Sequence, residues 1–104
     1  MRTVTIEVSS LRKSLGRFRR AWKGREQQGE FISFDSLETL LRTLTGKRWE
    51  LLHVLQNKGP MSIRALARQL DRDVKNVHTD VKPLMDVGLI EQDGRQVRVP
   101  FEEI

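Results

Sequence analysis

The sequence predicts a mainly α-helical fold with a small β element, in the α+β class, and three observations carry this prediction. Two adjacent stretches, 62–70 and 73–85, hold apolar residues at helical spacing. A short polar turn separates them. The Asp93-Gly94 pair then lies between two short segments, which is typical of a β hairpin. Two helices joined by a sharp turn and followed by a two-stranded wing define a winged helix-turn-helix.

The first of these helices is predicted over residues 62–70. Ser62 stands where the N-cap residue of a helix accepts a backbone N–H bond. Two helices that cross at a tight turn need a short side chain where they approach most closely, and Ala67 supplies one. The predicted core-facing residues share the 3.6-residue spacing of a helix: Ile63, Leu66, Ala67 and Leu70.

The second helix is predicted to begin after the run Asp71-Arg72-Asp73, with Asp73 as its cap. Pro83 lies inside it and is expected to bend or loosen the last turns, beyond the residues assigned to DNA contact. The apolar face is expected to comprise Val74, Val77, Val81, Leu84 and Met85, and the opposite face Lys75, Asn76, Thr79 and Lys82.

The polar face of the second helix carries groups that suit DNA. Lysine donates to guanine or phosphate, asparagine recognises the N6/N7 edge of adenine, and threonine contacts a phosphate or a thymine methyl. These properties are those of a recognition helix. At the tip of the predicted wing, Arg95 can reach a minor groove or a phosphate, and Arg98 lies on the same ribbon.

The N-terminal third is predicted to hold a strand, a basic helix and a second strand. Val4, Ile6 and Val8 alternate with polar residues, which indicates a half-buried strand over 3–8. Residues 30–34 are a candidate partner strand, within the protomer or across a dimer. Between them, a helix capped by Ser9 or Ser10 is expected to present an apolar stripe for the dimer or a partner: Leu11, Leu15, Phe18 and Trp22.

Two further helices are expected before the helix-turn-helix. Asp35 is the predicted N-cap of the first, over about 36–44, with Glu38 completing a capping box. The second is expected over 47–56, and Gly59-Pro60 follows it as a stop signal.

The net charge of +5 and the sequence pI of about 10.2 favour a polyanionic partner. Residues 1–30 hold eight Lys or Arg against three Glu, a sum of +5, whereas residues 31–104 hold eleven of each sign. The basic third therefore contacts either DNA or an acidic protein. Basic amphipathic helices also occur on membrane surfaces and in calmodulin targets, so the pattern alone is not specific.

Several function classes lack support. Cysteine is absent, and no apolar run approaches the length of a membrane span or a secretory signal, so a cytoplasmic, nucleoid-associated protein is expected. His53 and His78 lack a Cys or His at ligand spacing, and His78 is expected to pack or to contact backbone. No nucleophile or phosphate-loop motif is present, so neither an enzyme nor a cofactor is expected.

Two stretches carry a resemblance to a known family: SFDSLETLLRTLTGKRWELL and SIRALARQLDRDVKNVHTDVKPLMDVGLIE. They resemble prokaryotic predicted transcriptional regulators with winged helix-turn-helix domains of the multiple-antibiotic-resistance-repressor type. Several members of that family look like antitoxins. The resemblance implies a supporting helix that begins at Ser62 and a DNA-contact role for these residues: Ser62, Arg72, Lys75, Asn76, Thr79, Lys82, Arg95 and Arg98.

The leading hypothesis is a homodimeric repressor that binds double-stranded DNA at an inverted repeat. Residues 1–45 would form the dimerisation or partner-binding arm, 46–101 the DNA-binding domain and 102–104 a tail. The expected interface residues are Val4, Ile6, Leu11, Leu15, Phe18 and Trp22. Three alternatives stay open: an antitoxin that neutralises a toxin protein, a winged helix used only for protein contacts, and an architectural protein without sequence preference.

Overall fold

The structure is a computed structural model that describes residues 2–9 and 30–104. Its elements follow the predicted order of an N-terminal strand pair, four helices and a hairpin. The predicted basic helix and its apolar stripe lie outside the described residues. The bounds are β1 Val4–Val8, β2 Glu30–Phe34, α1 Leu37–Thr43, α2 Gly46–Lys58, α3 Ile63–Leu70, α4 Val74–Asp86, β3 Glu91–Asp93 and β4 Gln96–Arg98.

The helix-turn-helix is formed by α3 and α4. Ser62 caps α3 as predicted, because its hydroxyl accepts a hydrogen bond from the backbone N–H of Ala65 at 3.1 Å. In the turn, Asp71 adopts the left-handed conformation with φ 53°, which Asp tolerates better than most residues. Asp73 takes the N-cap position of α4, but its side chain makes no capping hydrogen bond. Pro83 is contained within α4, which ends at Asp86.

One hydrophobic core joins the helices to the wing. Ala67 is 1% exposed, as expected for the small residue at the α3–α4 crossing. On α4 the predicted apolar face is confirmed for Val77, Val81 and Leu84, whereas Val74 is 41% exposed. The largest fully buried side chains come from β1, from α2, α3 and α4, and from the segments after α4: Val4, Leu51, Leu52, Leu55, Leu66, Val77, Val81, Leu84, Leu89 and Val97.

The strand pair is parallel and forms within one chain, which is one of the two arrangements expected for residues 30–34. Ile6 lies opposite Ile32, and Val8 lies opposite Phe34. The last residues add to this layer: Val4 N–H donates to the Glu103 carbonyl and Glu102 N–H donates to the Arg2 carbonyl, each at 2.9 Å. Residues predicted as a tail are therefore hydrogen-bonded to the N-terminal strand.

The predicted division at residues 45 and 46 stays a prediction, and core packing crosses it. Val4 and Phe34 belong to the same buried cluster as Leu51 and Leu84. The strand pair thus shares its core with the helix-turn-helix.

Two local predictions were wrong in detail. The cap of α1 is Ser36, whose hydroxyl accepts from Thr39 N–H at 3.1 Å, and not Asp35. The chain enters α1 one residue later than the capping box suggested. In the hairpin, Asp93 pairs with Gln96, so the loop is Gly94-Arg95 and not Asp93-Gly94. Positive φ occurs at Gly94 (63°) but not at Arg95, which is the pattern of a type II′ turn.

In the described residues, no helix combines the length and apolar character that crossing a membrane requires.

We expect Ala67→Leu to destabilise the fold by about 1–3 kcal/mol, because three added carbons must enter a filled helix crossing. Chemical denaturation monitored by circular dichroism measures the change. Ala65→Leu is the matched control on the same helix, since Ala65 retains solvent exposure. Equal stability of the two variants would show that the crossing has room for a larger side chain.

Candidate nucleic-acid interface

The exposed face of α4 is formed by the residues that do not pack on the core. Val77, Val81 and Leu84 fix the rotation of the helix, because they point into the core and are at most 1% exposed. The opposite face is then presented to solvent over two turns. It holds Lys75, Asn76, His78, Thr79 and Lys82, and Asp86 in the last turn, all exposed.

One carboxylate of α4, Asp80, is turned away from this exposed face and held by two arginines. Its Oδ1 accepts a hydrogen bond from Arg48 Nε at 3.0 Å, and its Oδ2 accepts one from Arg72 Nη2 at 2.6 Å. The three side chains are only 15–20% exposed. Arg48 belongs to α2 and Arg72 to the turn between α3 and α4, so this cluster joins α4 to α2 and to that turn.

The environment of Asp80 keeps it ionised. Burial alone would raise the pKa of this carboxyl, but the hydrogen bonds and charges of Arg72 and Arg48 outweigh burial and hold the pKa below its ordinary value of 3.8. The cluster therefore carries two positive charges and one negative charge at neutral pH. The carboxylate next to Thr79 is therefore neutralised inside the domain, whereas Asp86 at the end of α4 stays exposed.

The structure divides the predicted contact residues into two groups. The polar groups of some are used inside the protein, and those of the others are left exposed. Arg72 is engaged with Asp80, and its Nη1 is buried with no hydrogen-bond partner among residues 2–9 and 30–104. Ser62 uses its hydroxyl to cap α3. Thr79 donates its hydroxyl hydrogen to the Lys75 carbonyl at 2.9 Å, which leaves its methyl group and oxygen on the exposed face. Lys75, Asn76 and Lys82 are brought together there as predicted.

The wing places its two arginines differently. Arg95 is exposed in the loop at the hairpin tip. Arg98 donates from Nη2 to Glu91 Oε2 across the hairpin at 2.9 Å, so its charge is partly matched. Glu91 also lies 4.0 Å from Arg2 Nη1.

Arg2 connects the N-terminal strand to the wing region. Its guanidinium donates two hydrogen bonds to Glu30, at 2.8 and 3.0 Å, and stacks over Phe101 with 4.9 Å to the ring centroid. The hydrogen bond from Arg2 lowers the pKa of Glu30. These groups are half exposed, so the network orients the strand layer more than it stabilises it.

The residues predicted for a dimer or partner interface are placed only in part. Val4 is 1% exposed inside the core of its own chain, so it has no surface to offer a second chain. Ile6 is partly buried against the same core. The remaining four, Leu11, Leu15, Phe18 and Trp22, lie outside the described residues.

Sequence reasoning missed His78 and Arg48. His78 was expected to pack, but it is exposed on α4, three residues from Lys75 and four from Lys82. The helical spacing from Lys75 was a signal that could have placed it on the polar face. Arg48 lies 32 residues from Asp80 in sequence, and no local pattern announces their contact.

The fold and this surface together define the class: the chain is similar to a winged helix-turn-helix domain, with α4 as the outward-facing helix. The family model HVO_A0114 matches residues 43–104, which is more than half of the chain, and the protein belongs to this family. The match covers α2 to the C-terminus and leaves out the strand pair. It bears out the expected resemblance in part, since the repressor type and the antitoxin role stay predictions.

A solved structure is similar over most of the chain. It is the solution NMR structure of the homodimeric winged helix-turn-helix DNA-binding domain (fragment 1-100) of Mb0332 from Mycobacterium bovis, a possible ArsR-family transcriptional regulator. The two are 22% identical with a TM-score of 0.49, over 73% of this chain and 78% of that chain. No curated protein matches the sequence.

We expect Asp80→Ala to destabilise the fold by about 3 kcal/mol, because two largely buried guanidinium groups lose their counter-charge. The lowered pKa means that the carboxylate stabilises the fold above pH 3.8 and loses this effect as the pH falls further. The difference between wild type and variant should therefore be constant from about pH 7 to 5 and shrink below pH 3.8.

Urea denaturation across this pH range measures the difference. Asp86→Ala is the control, since Asp86 is an exposed carboxylate on the same helix and its removal should change stability by no more than about 0.5 kcal/mol. A pH-independent difference for Asp80→Ala would show that packing, and not charge, causes the loss.

Proposed function

We propose that the protein is a transcriptional regulator that binds double-stranded DNA in a sequence-specific manner and represses its own operon as a dimer. The observation that carries the proposal is the exposed face of α4. It combines two cations with an amide and a hydroxyl, while Asp80, the carboxylate next to Thr79 in sequence, is turned inward and ion-paired. A surface that only kept the domain in solution would not need the carboxylate removed in this way.

Each residue on this surface suits a separate task in the major groove. The amide of Asn76 is able to donate to adenine N7 and accept from its N6, which specifies a base. Lys75 and Lys82 neutralise phosphate or donate to guanine. The methyl group of Thr79 fits a thymine methyl, since its hydroxyl hydrogen is used within the helix.

The positively charged wing outside α4 suits contacts with the DNA backbone. Arg95, at the exposed tip of the wing, is placed to meet a minor groove or a phosphate. We assign Arg72 to positioning α4 through Asp80 and no longer to direct DNA contact. A dimer with two such surfaces would bind an inverted repeat with half-sites near one helical turn, about 10 bp, or a multiple apart. The proposal places the protein on chromosomal DNA in the cytoplasm.

The test is a fluorescence-anisotropy titration with the DNA upstream of the gene and a scrambled duplex of equal length, across a salt series. We expect a preference of about 10³ or more for the natural sequence. A ratio near one with steep salt dependence would instead describe an architectural protein. Absence of binding to either duplex would leave the winged helix as a protein-contact module.

Two substitutions on α4 separate specificity from affinity in the same assay. Asn76→Ala should relax specificity at one base pair by about 1–3 kcal/mol, because only a base contact distinguishes sequences. Lys82→Ala should weaken all duplexes alike and reduce the salt slope by about 1, because it removes one phosphate contact. Uniform weakening by Asn76→Ala would remove this residue from base recognition.

A second candidate function is suggested by the charge distribution. The whole net charge of +5 lies in residues 1–30, apart from the recognition helix. An antitoxin would use this basic segment to hold an acidic toxin protein, with DNA binding as operon autoregulation.

Replacing six of the eight basic residues of this segment by glutamine distinguishes the two uses: Arg12, Lys13, Arg17, Arg19, Arg20 and Lys23. For the antitoxin, the variant should lose its complex with the co-expressed product of the adjacent gene and keep its DNA affinity and salt slope. If the segment lies on DNA, the slope should fall by up to about 5 for six lost phosphate contacts. Lys58→Gln, an exposed lysine on α2, is the control for charge loss elsewhere.

A further inference from the structure

Arg48 connects three parts of the domain through one side chain. Its Nε donates to Asp80 Oδ1 on α4 at 3.0 Å, and its Nη1 donates to the carbonyl of Thr43, the last residue of α1, at 2.9 Å. The backbone of Arg48 is also placed, since its N–H donates to the hydroxyl of Thr45, the N-cap of α2, at 3.4 Å. The guanidinium group is therefore held at its base and at two bonded ends.

Arg48, and not Arg72, is the independent anchor of α4. Arg72 binds the other oxygen of Asp80, but it lies only two residues before the start of α4 and so shares the movements of this helix. Arg48 belongs to α2 and is separated from Asp80 by 32 residues. In the part of the chain that the structure describes, its bond to Asp80 is the one side-chain hydrogen bond between α4 and another helix.

The rotation of α4 about its own axis decides where the amide of Asn76 lies. Asn76 precedes Asp80 by four residues, about one helical turn, so the two side chains leave α4 on neighbouring sides. A helix with its side chains is about 10–12 Å wide, so a rotation of about 10° moves a side-chain tip by about 1 Å. Hydrogen bonds to a base edge tolerate a spread of only about 0.5 Å. A rotation that non-directional apolar contacts still accommodate is therefore enough to impair base recognition by Asn76.

The lysines of the same face are less sensitive to such a rotation. Lys75 and Lys82 carry their ammonium groups on flexible four-carbon stems, which reach a phosphate from a range of directions. Arg48 itself has little surface to offer DNA, because its side chain is 17% exposed and its Nε and Nη1 are used inside the protein. Loss of Arg48 should thus affect which sequence is bound more than how strongly DNA is bound in general.

We propose that Arg48 is a positioning residue for DNA recognition, which acts through Asp80 to hold α4 in the rotation from which Asn76 contacts a base. The inference rests on the proposed function and names a residue outside the interface on which its specificity depends. Lysine at position 48 does not suffice for this role, since a single ammonium group lacks the planar fork that binds Asp80 and the Thr43 carbonyl at once.

Two variants of Arg48 test the proposal, with the natural and the scrambled duplex across a salt series. Arg48→Gln and Arg48→Lys should each reduce the preference for the natural duplex about tenfold, because one bidentate base contact is impaired. Affinity for the scrambled duplex and the salt slope should be those of wild type, because no phosphate contact is removed. Arg48→Lys keeps a positive charge beside Asp80, so this variant retains the fold, which circular dichroism checks. An unchanged preference, or an equal loss of affinity for both duplexes, overturns the proposal.

Arg42→Gln is the matched control for the lost charge. Arg42 pairs with Glu38 within α1 at 2.6 Å, and both side chains are at least 72% exposed. The variant removes the same charge as Arg48→Gln but leaves the contacts of α4 intact, so it should keep the preference and the salt slope of wild type. An equal loss of preference in Arg42→Gln contradicts the positioning role, since net charge would then account for the effect.

A double-mutant cycle shows whether Arg48 acts through Asn76. In Asn76→Ala the base contact is already absent, so the addition of Arg48→Lys should change the preference by no more than about twofold. A general loss of stability would not produce this coupling, because it would weaken binding in both backgrounds alike. A further tenfold reduction on the Asn76→Ala background would mean that Arg48 acts by another route, and the assignment would be wrong.

Failure of the proposed function is recognised by a different observation. If wild type binds the natural and the scrambled duplex equally, sequence recognition fails, and two-dimensional amide NMR spectra of the free protein then decide whether Arg48 positions α4. Shifts in Arg48→Lys that extend along residues 74–82 support the positioning role. Shifts confined to residues 43–51 and to Asp80 overturn it.

Discussion

The contact on which the rest of the structure depends is the cluster of Asp80 with Arg48 and Arg72. Its members come from α4, from α2 and from the turn that joins α3 to α4. The buried residues Val77, Val81 and Leu84 set which face of α4 is turned into the core, although apolar contacts alone tolerate small rotations about the helix axis. The Asp80 carboxylate, with each oxygen bound by a different guanidinium group, allows much less rotation of α4, because each hydrogen bond has a preferred distance and direction. The direction of the exposed face of α4 is therefore fixed by charge as well as by packing.

The same cluster allows α4 to contain Asp80 and still present an exposed face that suits a polyanion. Asp80 lies next to Thr79 in sequence, and an exposed carboxylate there would repel phosphate. The arginines hold it inside and lower its pKa, so it stays ionised in the domain without contributing to the surface. The first two turns of α4 then expose cations and hydrogen-bonding side chains, and the exposed carboxylate of α4, Asp86, lies at its C-terminal end. Asp80 therefore serves two purposes: it positions α4, and its charge is kept off the exposed face. Its removal would disturb both the position of α4 and the charge balance of the cluster.

Much of the fold was predictable because it depends on local rules. The apolar spacing of α3 and α4, the cap at Ser62 and the small residue at Ala67 all follow from helix geometry. The errors occurred where two local signals compete, as at Asp35 and Ser36, adjacent residues that both favour the cap position. In the hairpin, the Asp-Gly signal was correct, but the pairing of Asp93 with Gln96 shifted the loop by one residue.

The candidate site was less predictable, because its decisive contacts join distant residues. A helical pattern placed Lys75, Asn76 and Lys82 on the polar face, yet nothing in the sequence near Arg72 indicates that it binds Asp80 together with Arg48. The pairing of residues 102–103 with the N-terminal strand spans nearly the whole chain and was equally invisible. Sequence patterns specify which side of a helix is polar, whereas partners across the fold decide which polar groups remain free.

The cluster also connects α1 to α4. Arg48 binds Asp80 through Nε and donates from Nη1 to the carbonyl of Thr43, the last residue of α1, at 2.9 Å. One side chain therefore spans the distance from α1 to α4. The Thr43 carbonyl lies at the C-terminal end of a helix, where the last carbonyls have no partner within the helix, and Arg48 supplies its hydrogen bond. The end of α1 and the direction of α4 thus depend on the same guanidinium group.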